Sequence, residues 1–255
     1  MIAHQRCIRE RQALKPCLFR EEKQRLASSF ASASVREIDF DTAHRVIRKY
    51  EWLANMGATQ YAFGLYFGPH LAGVECFGST AGTYVNASVA GSENAKYVIT
   101  LCRGACVHWA HENAASYLIS RSCDLMVAKG YRIFVAYGDP DAGELGIVYQ
   151  AVSWLYCGQT TATEEFRTPD GEVKDSRSVH SYTRDRRNVI GYEYRQKCSR
   201  AEMKQRLIAD GCRFFKGQPK HRYVGIYGDK RLKRKIRKAL RWPVLPYPKR
   251  ETAPE

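Results

Sequence analysis

The stretch from Tyr97 to Gly158, YVITLCRGACVHWAHENAASYLISRSCDLMVAKGYRIFVAYGDPDAGELGIVYQAVSWLYCG, constrains the fold of this chain more than any other. YVITLCR is a β-branched run suited to a strand, and RGACVHWAH is a loop. ENAASYLISRSCDLMVAKG is a helix: Ala115, Leu118, Ile119, Ser122 and Met126 recur at helical spacing, and Gly130 stops it. YRIFVAY is a second strand, GDPDAGELG a turn, and IVYQAVSWLYCG a short helix running into a last strand. A strand that feeds through a loop into a helix start presents free N–H groups and the positive end of the helix dipole, so segment 103–116 is suited to an anion. Neither GxxxxGK[ST] nor GxGxxG occurs, which excludes a P-loop and a dinucleotide fingerprint.

On the N-terminal side, residues 1–36 are polar and mixed in charge, with a short helix in FREEKQRLASSFASAS ending in a Ser/Ala-rich linker, and are expected to be peripheral. IDFDTAHRVIRKYEWLANM is a helix capped by Asp39 or Asp41, with Ala43, Val46, Ile47 and Trp52 or Leu53 on its apolar face. Its end places His44, Tyr50 and Glu51 at the edge of a site or simply closes an amphipathic helix. ATQYAFGLYFG and HLAGVECFGS are two strands joined by a tight GPH turn, and 79–95 is a Gly/Ser/Ala/Asn loop expected to act as a flap.

Beyond Gly158 the chain becomes basic. TPDG at 168–171 is a hairpin-like turn, and SRSVHSYTRDRR follows it. Ser199 with Glu202 three residues later fits a capping box ahead of a short helix, and HRYVGIYG is a strand. In DKRLKRKIRKALRW, Leu232, Ile236 and Leu240 form one narrow apolar stripe on an otherwise cationic helix, and PVLPYPKRETAPE is extended. The formal net charge is +15 and the pI about 9.5, an excess suited to a phosphate backbone rather than to a small metabolite. Arg177, Arg184, Arg186, Arg187, Lys233, Arg234 and Lys235 are the candidate DNA contacts, and Tyr50, Trp52 and Tyr84 the candidate stacking partners for a base.

With a polar N-terminus, MIAHQRCIRERQALK, and no apolar run of 18 residues, the nine cysteines are expected to lie in a reducing compartment, unpaired and mostly small core hydrophobes. Cys102, Cys106, His108 and His111 form C-x3-C-x-H-x2-H, which has metal-ligand chemistry at a spacing unlike common zinc sites.

The order β–β–loop–β–α–β–α–β, with RGAC…ENAAS at its centre, resembles the core of the GNAT acyltransferase superfamily. Within it LCRGACVHWAHENAASYLIS, VAYGDPDAGELGIVYQA and SWLYCG resemble the phage Mom family of DNA-modification proteins, over roughly residues 38–195. The resemblance implies an α/β (α+β) fold with a GNAT-like mixed central β-sheet flanked by helices. The expected organisation is a peripheral segment 1–36, a GNAT-like catalytic domain 37–195 and a basic DNA-contacting extension 196–255. The implied activity converts the N6 amine of adenine in double-stranded phage DNA to an acetamido (methylcarbamoyl) group, in the cytoplasm of the infected host, and shields the DNA from restriction. The implied donor is acetyl-CoA.

Carried onto this chain, the resemblance and the residue chemistry nominate Asp139, Ser116, Tyr149, Tyr50 and Glu51 as catalytic. Arg103, Gly104, Asn113, Ala114 and Ser116 are nominated for the donor. Asp139 ends a strand and can take or orient an amine proton. Tyr149 suits a proton donor to a leaving thiolate, and Ser116 a hydroxyl at the start of the central helix. Two departures are visible: Gly104 is the only glycine close after Arg103, so the superfamily's R/Q-x-x-G-x-G/A loop is incomplete, and YEWL stands where the Mom family carries a His-Tyr pair. Alternative readings are a non-catalytic DNA-binding protein on a GNAT-like scaffold and an N-acyltransferase for another amine, such as a hypermodified pyrimidine.

Overall fold

The computed structural model describes residues 4–80, 82, 84–175, 179–185 and 198–249. The chain divides into two compact units, residues 1–159 with 221–255, and residues 160–220. This division falls elsewhere than at 36/37 and 195/196. HRYVGI is largely buried and enters the main sheet as an interior strand between β5 and β6.

The first unit opens with α1 (His4–Ala13) and α2 (Arg20–Leu26). β1 (Ala33–Glu37) follows, then α3 (Phe40–Tyr50), β2 (Thr59–Phe67), β3 (His70–Gly78) and α4 (Val85–Ala90). β4 (Val98–Cys106), α5 (Ala114–Ala128), β5 (Ile133–Gly138), α6 (Ile147–Ala151) and β6 (Leu155–Gln159) complete its first part. After the second unit the chain returns through β10 (His221–Ile226) and α9 (Lys230–Ala239). Among the described residues, seven strands form one sheet in the order β1-β2-β3-β4-β5-β10-β6. Every neighbouring pair is antiparallel except β4 with β5. The expected mixed sheet with flanking helices is therefore present.

Three elements differ from the expectation. The Ser/Ala-rich stretch supplies β1, which pairs Ala33 to Phe67 and Glu37 to Phe63 along the edge of β2. The supposed flap carries α4 and a 3-10 turn at Ser92–Tyr97, because Val89 and Ala90 are buried against Val98 and Ile236. The later part of the N-terminal segment reaches the core: Ala27 is buried, and Leu26, Phe30 and Ala33 pack against it.

The parallel pair holds only from Val98–Thr100 against Ile133–Val135. β4 then follows β3 to Cys106, and β5 follows β10 to Gly138, so the two strands part and leave an opening. An irregularity helps to part them: Arg103 pairs with Cys76 and Leu101 with Phe77, which leaves Cys102 as an extra residue in β4. Such a bulge bends the strand that carries it.

The second unit holds β7 (Glu164–Arg167), β8 (Val173–Asp175), α7 (Val179–Asp185), α8 (Arg200–Ala209) and β9 (Arg213–Lys216). Its sheet runs β8-β7-β9, over a small core of Phe166, Val179, Met203, Leu207 and Cys212. The Thr168–Gly171 turn closes the β7–β8 hairpin, and the Ser199–Glu202 capping box forms in full at the start of α8.

Candidate active site

The opening between β4 and β5 gathers ionisable groups from several elements. From the end of α3 comes Glu51, 6 % exposed, whose Oε2 accepts from the Leu53 and Ala54 amides at 2.8 and 2.9 Å. Arg103 on β4 stands 3.9 Å from it and donates to the Asn55 carbonyl and side chain at 2.7 Å each. Burial raises the Glu51 carboxyl above its ordinary range, and the guanidinium opposes that. From the end of β5 comes Asp139, 7 % exposed, whose Oδ1 accepts from the Asp141 amide at 3.0 Å. It thereby holds the turn before α6 as well as facing the site.

Glu144 links these groups. Its carboxylate accepts from the Asp139 amide at 3.2 Å and hydrogen-bonds the Trp52 side chain. Burial, followed by the nearby Glu51 and Asp139 charges, pushes it up to about 7. Tyr149 on α6 stacks on Trp154 with ring centres 5.4 Å apart. Burial and the neighbouring Glu75, Glu144 and Glu51 hold its hydroxyl protonated well above the ordinary tyrosine range. Glu75, mid-way along β3, completes the group. It is 3 % exposed, and burial pushes its carboxyl well up. Gly104 faces it across the β3–β4 pair, and a Cβ at that glycine would stand 2.6 Å from Glu75 Oε1.

Of the expected catalytic residues, Asp139, Tyr149 and Glu51 are thus brought together, beside Arg103 and Gly104. Tyr50 lies apart from them, buried with its hydroxyl 2.9 Å from His108 Nδ1, so it is not placed to stack on a base. Ser116 Oγ donates to the Asn113 carbonyl at 3.0 Å, the role of an ordinary helix-start serine. The Asn113 amide donates to His111 Nδ1 and the Ala114 amide to the His111 carbonyl, so these two donors are already engaged. Trp52 is half-buried at the carboxylates, whereas Tyr84 is 87 % exposed.

The four metal candidates do not converge. Cys102 bonds to the Cys76 carbonyl and Thr59, Cys106 is buried near Gly73, and the two histidines are bonded as above. Among the described residues no group of three or more His, Cys, Asp and Glu is placed to hold a metal ion. Arg177, Arg186 and Arg187 lie outside the described residues, and Arg184 is described only as backbone within α7. Lys233, Arg234 and Lys235 are exposed on α9, which Ile236 anchors in the core. No helix among the described residues is long and apolar enough to cross a membrane.

Glu75 and Glu144 escaped the sequence reading. Glu75 had a signal, since it is a lone carboxyl inside the apolar strand HLAGVECFGS. Glu144 had none, because in GDPDAGELG it reads as one more polar turn residue.

The N-terminal helix borders the same opening. Gln5 Nε2 donates to the Gly104 carbonyl at 2.8 Å, and His4 meets Trp52 edge-on at 6.0 Å between ring centres.

A sequence comparison with curated proteins returns no match. Among solved structures, an N-acetyltransferase from Staphylococcus aureus Mu50 is similar at 14 % identity and a TM-score of 0.40, over 77 % of this chain and 99 % of that one. A GNAT-family acetyltransferase from Elizabethkingia anophelis with acetyl-CoA bound is similar at 9 % identity and a TM-score of 0.37, over 77 % and 99 %. An N-acyl amino acid synthase from uncultured soil microbes is similar at 12 % and 0.38, over 76 % and 90 %. Residues 32–249 match the Mom protein family, most of the chain including the whole opening between β4 and β5, and the chain belongs to that family.

Proposed function

We propose that this protein is a DNA-modifying transferase that acylates the exocyclic N6 amine of adenine in double-stranded DNA, with acetyl-CoA as donor, and so protects the DNA from restriction. Membership of the Mom family supports the modification role. The observation that carries the chemistry is the placement of Glu144 among Glu51, Asp139 and Tyr149 where β4 and β5 part. A carboxyl poised near neutrality is suited to general-base work, and a tyrosine kept protonated is suited to donate a proton.

The residues present fit an acyl-CoA in two respects. The Gly104 carbonyl points out of the β3–β4 ladder, where Gln5 now bonds it, so this edge of β4 can hydrogen-bond an extended arm. Tyr149 lies at the inner end of the same opening, beside Glu75, which faces Gly104. When bound, the donor supplies an activated acyl carbonyl. With a donor bound, Glu144 would be the group to take the proton that the amine gives up on acylation, and Tyr149 the group to supply the proton that the departing thiolate takes up. Arg103 opposes the effect of burial on Glu51 and favours its charged form, and a charged Glu51 in turn raises Glu144. The target base must leave the duplex to reach these groups, and the cationic face of α9 suits the phosphates of the strand that carries it.

The test is the nucleoside composition of DNA from cells expressing the protein. A modified deoxyadenosine is expected, and its mass separates an acetyl from a methylcarbamoyl adduct, because the latter carries a further nitrogen. Glu144→Gln should sharply reduce the adduct and leave DNA binding intact. Unmodified deoxyadenosine with soluble wild-type protein present would overturn the proposal. An adduct on a pyrimidine would instead support transfer to another amine.

A further inference from the structure

The mechanism above leaves Glu75 unused. Its Oε1 is buried without a hydrogen-bond partner, and no ion pair among the described residues involves it. A buried polar atom left unmatched is costly and points to a missing partner. The neighbourhood is arranged around it: Gly104 leaves the space its carboxyl occupies, and Tyr149 and the parting strands lie beside it.

We propose that Glu75 is a specificity residue of the substrate pocket, its carboxyl pairing with the amino edge of the target base, where an N–H lies next to a ring-nitrogen acceptor. The inference rests on the DNA-base reading given above. Burial without a cation favours the protonated form of this carboxyl, and that form presents an O–H donor beside a C=O acceptor. That fork matches adenine, whose N6–H and N1 lie side by side. It does not match the arm of an acyl-CoA, because the N–H and C=O of a trans amide point in opposite directions.

The experiment measures the affinity of full-length protein for a labelled duplex by fluorescence anisotropy, without donor. One duplex carries a single adenine opposite an abasic position, which eases extrusion; the other carries purine there, which lacks the exocyclic amine. Wild type should prefer adenine roughly tenfold, the effect of one buried hydrogen bond. Glu75→Gln keeps a donor beside an acceptor and should keep the preference. Glu75→Leu removes both and should bind the two duplexes equally, and it should remain folded because an apolar side chain suits the buried position. A preference that survives in Glu75→Leu, or is lost in Glu75→Gln, or is absent from wild type, would overturn the assignment. Because no transfer occurs in this assay, a protein that discriminates the duplexes but never modifies DNA would sink the transferase reading and leave the role of Glu75 standing.

Discussion

Replacing Glu144 with Gln tests the proposed chemistry most directly. The wild-type carboxyl titrates at about 7, against an ordinary value of 4.5. A base works only when ionised, so kcat/KM should rise roughly tenfold per pH unit up to about pH 7 and then level off. Glu144→Gln should lose that limb and fall by about 10²–10⁴-fold at the plateau. The neighbours set where the limb lies. Glu51→Gln removes a like charge that lifts Glu144 and should move the limb to lower pH. Trp52→Phe removes a hydrogen bond to the carboxylate and should move it higher. Stability must follow the same titration. The folded carboxyl binds its proton more tightly than the unfolded one, so stability falls as pH rises between about 4.5 and 7. Full linkage over that window is about 3 kcal/mol, and the side chain's residual contact with water reduces it to about 1–2 kcal/mol. Glu144→Gln should flatten this slope. The assay is initial rate by nucleoside mass spectrometry across the pH range, with thermal unfolding in parallel. A wild-type rate flat from about pH 6 to 8, or a limb that persists in Glu144→Gln, would refute the assignment.

Removing Lys233, Arg234 and Lys235 together to Ala should weaken DNA binding at low salt and reduce the magnitude of the log affinity–log salt slope by up to about three, because each contacted phosphate contributes about one. Gly146→Ala should lower stability by about 1–3 kcal/mol or more in a denaturant titration, since φ there is +69° and the new Cβ would stand 2.3 Å from the Tyr223 ring. Ser199→Ala should cost about 1 kcal/mol, read as faster amide exchange in α8, because it removes the side chain that accepts from the Glu202 amide.

What was legible in the sequence was local. The GPH turn between β2 and β3, the helix stopped by Gly130, the capping box at Ser199 and the apolar stripe of α9 each depend on residues within a turn or two of one another. What was not legible depends on distant pairing. β1 is written in Ala, Ser and Val that could equally be linker, and only the free edge of β2 makes it a strand. β10 lies far along the chain from β5, its neighbour, so nothing local announces that HRYVGI belongs inside the main sheet. The site shows the same limit. Asp139 and Tyr149 stood out because strand ends and helix starts are visible in sequence. Glu144 became a site residue only once the α3 end brought Glu51 and Trp52 against it.

The insertion of residues 160–220 has a further consequence for how this chain can vary. Gln159 and His221, the residues on either side of it, are register partners in the sheet, and Thr160 and Lys220 are hydrogen-bonded to each other through both backbone and side chain. The excursion therefore leaves and rejoins at a clasped neck. The entropic cost of closing such a loop grows only slowly with its length, by about 0.6 kcal/mol per doubling. Changes in the length of this segment can then be absorbed while the seven-stranded sheet keeps its register.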